Sequence, residues 1–119
     1  VMAEPRLAGL FGPGSRGEVA IAGRVGPPGG ERAVAGQIDR MAVTPSEVLL
    51  ADFKTGAPPP GGVPGAYLAQ LALYRELLAA IHPDRPVRTL LVWTEGPTVI
   101  EPDPAALGSA LAQVLGRLP

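Results

Sequence analysis

Apolar and polar positions along this chain change period several times, and each change marks an element. From 18 to 25, Val19 and Ile21 fall on one face and Glu18 on the other, the period of two of a half-buried strand. Gly26 to Glu31 read as a turn, and 34–43 as a second strand carrying Gly36-Gln37-Ile38-Asp39-Arg40. Thr44-Pro45-Ser46-Glu47 is a tight connection of turn formers. Residues 48–54 make a third strand, and the unbroken apolar run Val48-Leu49-Leu50-Ala51 predicts a central place in the sheet. Beyond a Gly/Pro-rich loop, Tyr67, Leu71, Tyr74, Leu78 and Ile81 recur at helical spacing, predicting a largely buried helix over about 65–81, ended by Pro83. Strands at 87–94 and 97–101 join across Glu95-Gly96. Asp103 then reads as an N-cap with Pro104 at the first helical position. The helix it opens carries Leu107, Leu111, Val114, Leu115 and Leu118. The order βββαββα predicts an α/β domain, a mixed β-sheet flanked by helices.

Composition changes this picture in a few places. At 119 residues and 46% apolar content, the chain supports one domain over 1–119 with a real core. Its 16 glycines and 15 prolines are numerous enough to suggest disorder, but 14 of these 31 cluster at 23–30 and 56–65, between patterned segments, and read as loops. The absence of cysteine excludes disulfides, iron–sulfur clusters and thiolate zinc sites. No apolar run approaches the ~20 residues of a membrane span, and the first residues lack the basic-then-apolar pattern of a leader. A cytoplasmic protein with no membrane partner is expected. A net charge of −1 argues against a free-standing nucleic-acid binder, since phosphate contacts rest on clustered Lys and Arg. DNA engagement then requires a metal or a neighbour's basic surface. The abrupt start at Val1, with no helix before the Phe11-Gly12-Pro13-Gly14 turn, suggests one piece of a longer polypeptide.

Candidate chemistry gathers on the second and third strands. Lys54 is the single lysine beside nine arginines, and it stands two residues after Asp52. A compact ammonium with a movable pKa is something arginine does not supply. If 34–43 and 48–54 form a hairpin across 44–47, paired positions sum to 91, so Asp39 faces Asp52 and Gln37 faces Lys54. Opposed residues have Cβ atoms ~4.5–5.5 Å apart, where like charges destabilise. Two carboxylates there raise one another's pKa or share a cation. Period-two geometry puts Lys54 on the face of Asp52. Oxygen-only ligands favour a hard cation, Mg2+ or Mn2+, which polarises a phosphoryl oxygen and lowers the pKa of a bound water. Taken singly, Asp-x-Lys and Gly-x-x-Asp are weak signals, common at solvated strand ends.

Together, Gly36-Gln37-Ile38-Asp39-Arg40, Asp52-Phe53-Lys54-Thr55 and Gln70-Leu71-Ala72-Leu73-Tyr74 resemble the GxxD, DxK and QxxxY motifs of RecB-type nucleases in the PD-(D/E)xK superfamily. Glu18 to Ile21, the Tyr74-Arg75 to His82-Pro83 stretch and Leu91-Val92-Trp93-Thr94 look most like the nuclease region of the AddA helicase–nuclease subunit. The resemblance covers most of 4–103 and implies a restriction-endonuclease-like fold. It implies Asp39 and Asp52 as metal ligands with the Phe53 backbone carbonyl as a third, Lys54 as the catalytic lysine, and Gln70 and Tyr74 as site-ordering or DNA-contacting residues. Glu18 is a secondary candidate near the metal. Against these roles, Tyr74 fits the apolar stripe as core, Gln70 fits a cap on strand backbone, and Glu18 fits an exposed strand start. Thr55 and Gly56 are expected to shape the strand exit, Trp93 to be core, and His82 to meet carbonyls at its helix end.

The resemblance further implies a metal-dependent DNA exonuclease within a bacterial double-strand-break repair enzyme. DNA and an AddB-like second subunit would be its partners, and ATP would act only at helicase domains outside this chain. One departure stands out. The family supplies a histidine ligand from a helix well upstream of GxxD, and the only histidine here is His82. A fragment without that histidine and its helix is expected to cleave weakly or not at all. A second reading is therefore a catalytically incomplete nuclease-fold module that guides DNA or docks a subunit. A third, an unrelated α/β domain, predicts acids lying far apart.

Overall fold

The computed structural model describes residues 14–117. One five-stranded sheet runs in the order β1 (Ser15–Val25), β2 (Arg32–Val43), β3 (Val48–Lys54), β4 (Val87–Trp93) and β5 (Thr98–Ile100). All neighbours pair antiparallel except β3 and β4, which are parallel. A parallel pair requires a crossover, supplied here by helix α1 (Gly65–Ile81), and helix α2 (Pro104–Arg117) follows β5. This is the mixed sheet flanked by helices, in the order βββαββα, that the hydrophobic pattern predicts, and it has the restriction-endonuclease-like arrangement.

The unbroken apolar run of β3 has its reason in the middle place of that strand. Val48, Leu50, Leu71, Leu77, Leu91 and Leu107 form a cluster that includes the helices, while Ala42, Leu49, Ala51, Leu90 and Val92 form a second, joined by Phe53 and Val99. Both faces of β3 are thus buried, and Val48, Leu50 and Ala51 are each 0% exposed. At ~25 cal/mol per Å2 of apolar surface, burial contributes most densely in this strand and in its parallel neighbour β4, buried from Thr89 to Trp93.

The β2–β3 connection sets the register. Thr44 N–H donates to the Glu47 carbonyl at 2.9 Å, and Thr44 Oγ1 accepts from the backbone N–H groups of Ser46 and Glu47. From there Val43↔Val48 through Arg40↔Ala51 pair at positions summing to 91, as expected. At the opposite end of β4 from Trp93, Arg88 grips Glu101 through two hydrogen bonds of 2.8 and 2.9 Å and reaches Glu47 at 3.4 Å. Those two carboxylates, Glu101 foremost, hold the guanidinium more firmly protonated than usual.

Some boundaries differ from the expectation. β1 begins three residues earlier than 18, because main-chain pairing of Ser15, Arg16 and Gly17 with residues 40–42 extends it where no apolar pattern does. β5 is only three residues long. Ile81, expected on the buried stripe, is 58% exposed. It ends α1, just where the His82 backbone N–H closes the helix on the Leu78 carbonyl and the chain turns away. Asp103 caps α2 as expected, its Oδ1 accepting from the Ala105 N–H at 3.0 Å. The turn at 11–14, Leu118 and the question of a helix ahead of β1 fall largely or wholly outside the described residues. Among the described residues, no helix is long and apolar enough to cross a membrane.

Candidate active site

The β2–β3 ladder stops where the acids begin. Its last pair is Arg40↔Ala51, so Asp39↔Asp52 and Gln37↔Lys54 are not formed as pairs. In an antiparallel ladder the residues that exchange bonds alternate. With Thr44 bonded to Glu47, that alternation would send the Phe53 N–H to the carbonyl of Ile38. It goes instead to the Asp39 side chain, whose Oδ2 accepts it at 2.8 Å. A carboxylate has replaced a main-chain acceptor, and the two strands part around it.

The β1–β2 ladder is interrupted at the same level. Pairs run Ser15↔Ala42 to Gly17↔Arg40 and resume at Val19↔Ile38, leaving out Glu18 and Asp39. Glu18 has φ 53°, the left-handed region that a non-glycine residue enters at a cost of about 1–2 kcal/mol. Side alternation slips here. Val43 and Met41 pack against the helix-side cluster and so do Ile38 and Val34, whereas Ala42 belongs to the other. One residue between Met41 and Ile38 must depart from strict alternation, and Asp39 sits in that interval. The slip lets Asp39 face Asp52 while Ile38 also points into the core.

Asp52 and Lys54 lie on the helix side of β3, continuing the alternation of Val48 and Leu50. Lys54 Nζ is 2.9 Å from Asp52 Oδ2, with side chains 22% and 13% exposed. The Asp52 carboxyl is pushed above the usual carboxylate range, first by burial and then by Asp39, with Lys54 opposing. Two acids and an ammonium therefore converge, and the third reading, with acids far apart, is excluded.

Helix α1 reaches this cluster through Tyr67 and packs on β2 through Tyr74. Gln70 Nε2 donates to the Tyr74 hydroxyl at 3.4 Å, one turn away. Tyr74 is buried, and its ring and hydroxyl lie directly over Gly36, where a Cβ would fall 2.7 Å from Cε1. The glycine of Gly-x-x-Asp is thus the seat of the tyrosine of Gln-x-x-x-Tyr. Tyr74 is core, and Gln70 bonds to it; the two share a face with Val34, Ala35 and Leu73 rather than with Asp39, Asp52 and Lys54. Tyr67, read from sequence only as a core position, carries Lys54 Nζ 4.0 Å above its ring centroid. Its ring meets Trp93 edge-to-face at 5.8 Å, and Trp93 is core as expected. The signal that could have found Tyr67 is its spacing, three residues before Gln70 and seven before Tyr74, on one helical face.

The strand exit is fixed by Gly56, at φ 90°, whose N–H donates to Thr94 Oγ1 and whose carbonyl accepts from Glu95. Glu18 is exposed, opposite Asp39 by register, and among the described residues no three acids or histidines form a metal-holding group. The residues present still fit a hard divalent cation. Asp52 presents a half-buried carboxylate, paired with Lys54 and lying beside a second carboxylate. The Phe53 carbonyl leaves the strand on the edge of its N–H, the edge facing Asp39. All these donors are oxygen, as Mg2+ or Mn2+ prefers.

Comparison with known proteins identifies the superfamily and the fold. Residues 7–114 match the PD-(D/E)XK nuclease superfamily, and the chain belongs to it. Among solved structures, one from Eubacterium rectale, described as an exonuclease candidate, superposes with a TM-score of 0.68 at 17% identity, over 96% of this chain and 45% of its own. The protein SSO0001 superposes with a TM-score of 0.51 at 16% identity, over 85% of this chain and 48% of its own. The chain spans less than half the length of either, and these likenesses concern the fold. No curated protein matches the sequence.

Two outcomes are expected. Gly36→Ala should destabilise the fold by about 1–3 kcal/mol through overpacking against Tyr74. Tyr74→Leu in the same chain should recover part of that loss, a non-additivity that denaturant titration of the double-mutant cycle would reveal. A second outcome concerns pH. A carboxyl with a raised folded-state pKa stabilises the fold while protonated, and that stability is lost as pH climbs from 3.8 through the raised value. Asp52→Asn, neutral throughout, should therefore gain melting temperature on the wild type as pH rises, in chelator. A difference equal at pH 3 and pH 8 would count against it.

Proposed function

We propose that this domain is the metal-dependent DNA exonuclease of a bacterial double-strand-break repair helicase–nuclease, similar to the C-terminal nuclease region of AddA. What carries the reading is Asp52, held between a second carboxylate and the only lysine on the helix side of the central strand. Superfamily membership and the triple motif support it. Asp39, Asp52 and the Phe53 carbonyl would hold Mg2+ or Mn2+. Such an ion, when bound, supplies charge neutralisation for a phosphate and a lowered pKa for water.

The chain's own residues do the rest. Asp39 holds the strands apart through Phe53, which keeps both acids at one opening. Lys54, on the rim, is placed to donate to a phosphate oxygen as negative charge develops. Tyr74, bonded by Gln70 and seated on Gly36, fixes the helix whose Tyr67 reaches Lys54. DNA is the substrate in this proposal. Partners are an AddB-like subunit and, in the same polypeptide, helicase domains that use ATP. The whole of 1–119 is one domain of that longer chain, in the cytoplasm.

A second reading rests on one observation. Among the described residues no three ligating side chains gather, which favours a catalytically incomplete module that guides DNA or docks a subunit. Metal binding separates the two. Mn2+ should raise the melting temperature of the wild type by mass action, and not that of Asp39→Asn or Asp52→Asn. In the full-length polypeptide, Asp52→Ala or Lys54→Ala should abolish DNA cleavage while ATP hydrolysis persists. The isolated domain should cleave weakly or not at all. Undiminished cleavage by either full-length variant would remove the nuclease assignment.

A further inference from the structure

We infer that Tyr67 is a positioning residue for Lys54, its ring face holding the ammonium at the site independently of Asp52. The inference rests on the reading of Lys54 as the catalytic lysine and adds a residue outside the three motifs. Lys54 Nζ has two anchors, the Asp52 carboxylate at 2.9 Å and the Tyr67 ring at 4.0 Å from its centroid. A carboxylate that takes up a cation has less negative charge left for the ammonium. A ring quadrupole is unaffected by that change, and a half-buried ring holds a cation more strongly than an exposed one.

The ring is itself oriented. Trp93, 2% exposed, meets it edge-to-face with planes 81° apart. Trp93 is also the residue paired with Lys54 across the parallel β3–β4 ladder. The Thr94 N–H then donates to the Lys54 carbonyl at 2.9 Å, which ties the lysine backbone to the residue after that tryptophan. Backbone and side chain of Lys54 are thus referred to one aromatic pair. Without the ring, four rotatable bonds would let the ammonium swing to solvent when Asp52 is engaged, and the lysine would reach its place in only a fraction of molecules.

Because Lys54 is the only lysine in this chain, selective labelling gives one side-chain signal to follow. In the metal-free domain, its ε-methylene protons should resonate upfield of an exposed lysine through the ring current of Tyr67. Tyr67→Phe should keep that shift and Tyr67→Leu should lose it. In the full-length polypeptide, Tyr67→Leu should lower kcat for DNA cleavage roughly tenfold, the scale of a partly desolvated cation–π contact, with KM within about twofold. Tyr67→Phe should retain wild-type kcat. Phenylalanines of increasing ring fluorination at position 67 keep the shape while draining the ring face, so kcat should fall stepwise along that series even if the leucine variant folds poorly. An unshifted wild-type signal, a Tyr67→Leu chain with wild-type kcat, or a fluorination series without a trend overturns the inference. Lys54→Met that still cleaves DNA would instead remove the catalytic reading, and the ring-current shift would remain to report on the contact itself.

Discussion

A single hydrogen bond, from the Phe53 backbone to the Asp39 carboxylate, decides how the site is built. A sheet ladder is repetitive, and a pocket within it needs a place where main-chain groups stop satisfying one another. Any break leaves a donor to be paired, because an unpaired buried N–H costs about as much as a lost hydrogen bond. Here the replacement acceptor is charged, and charge-assisted bonds are the stronger kind. The same contact therefore satisfies the broken ladder, holds β2 away from β3 and pins one carboxylate beside the other.

That arrangement opposes stability, and the rest of the fold offsets it. Burial and the neighbouring Asp39 both disfavour the charged form of Asp52, and Lys54 only partly compensates. Glu18 adds a strained backbone at the level where β2 turns over. Against these costs stand a central strand buried on both faces and Arg88 tying the far end of the sheet to two glutamates. Departures from local rules gather at the end of the sheet where chemistry is expected, while the other end obeys them. Fold and site share one strand and divide it lengthwise.

This division explains what could be read from the letters. The element order, the central place of β3 and the register summing to 91 follow from hydrophobic period and turn chemistry, because Val48 to Ala51 and Thr44 to Glu47 are governed by local rules. The convergence of Asp39, Asp52 and Lys54 is expected from the same register, but the ladder ends at Arg40↔Ala51 and the acids meet where the strands have parted. The slip between Met41 and Ile38 was not legible, since both sit at ordinary strand positions and only the backbone at Glu18 and Asp39 reveals the turnover. The register also overextends for that reason, predicting Gln37 opposite Lys54 where the strands have parted. Ile81 has the right spacing for the stripe but lies where the helix runs out. Tyr67 has the right spacing too, and a period cannot distinguish a ring that fills the core from one that carries an ammonium.

The three motifs are better understood as one object than as three. Gly36 is bare because Tyr74 occupies the space of its missing side chain, as Leu77 does at Gly23, so the helix seats these side chains closely on β2 and β1. That close approach brings the earlier turns of the same helix, first Gln70 and then Tyr67, along the line of the pocket toward the end of β3. The crossover makes this possible: β3 must be followed by a helix that returns the chain to start β4 parallel to it. The Gly/Pro-rich segment after Lys54 spans the distance from the strand end to the start of that helix and adds Val63 to the edge of the core. Removing the glycine from β2 would therefore act on the lysine of β3 through the helix that touches both. Spacing between the motifs is set by this packing path, and the chemistry of each depends on the geometry of the other two.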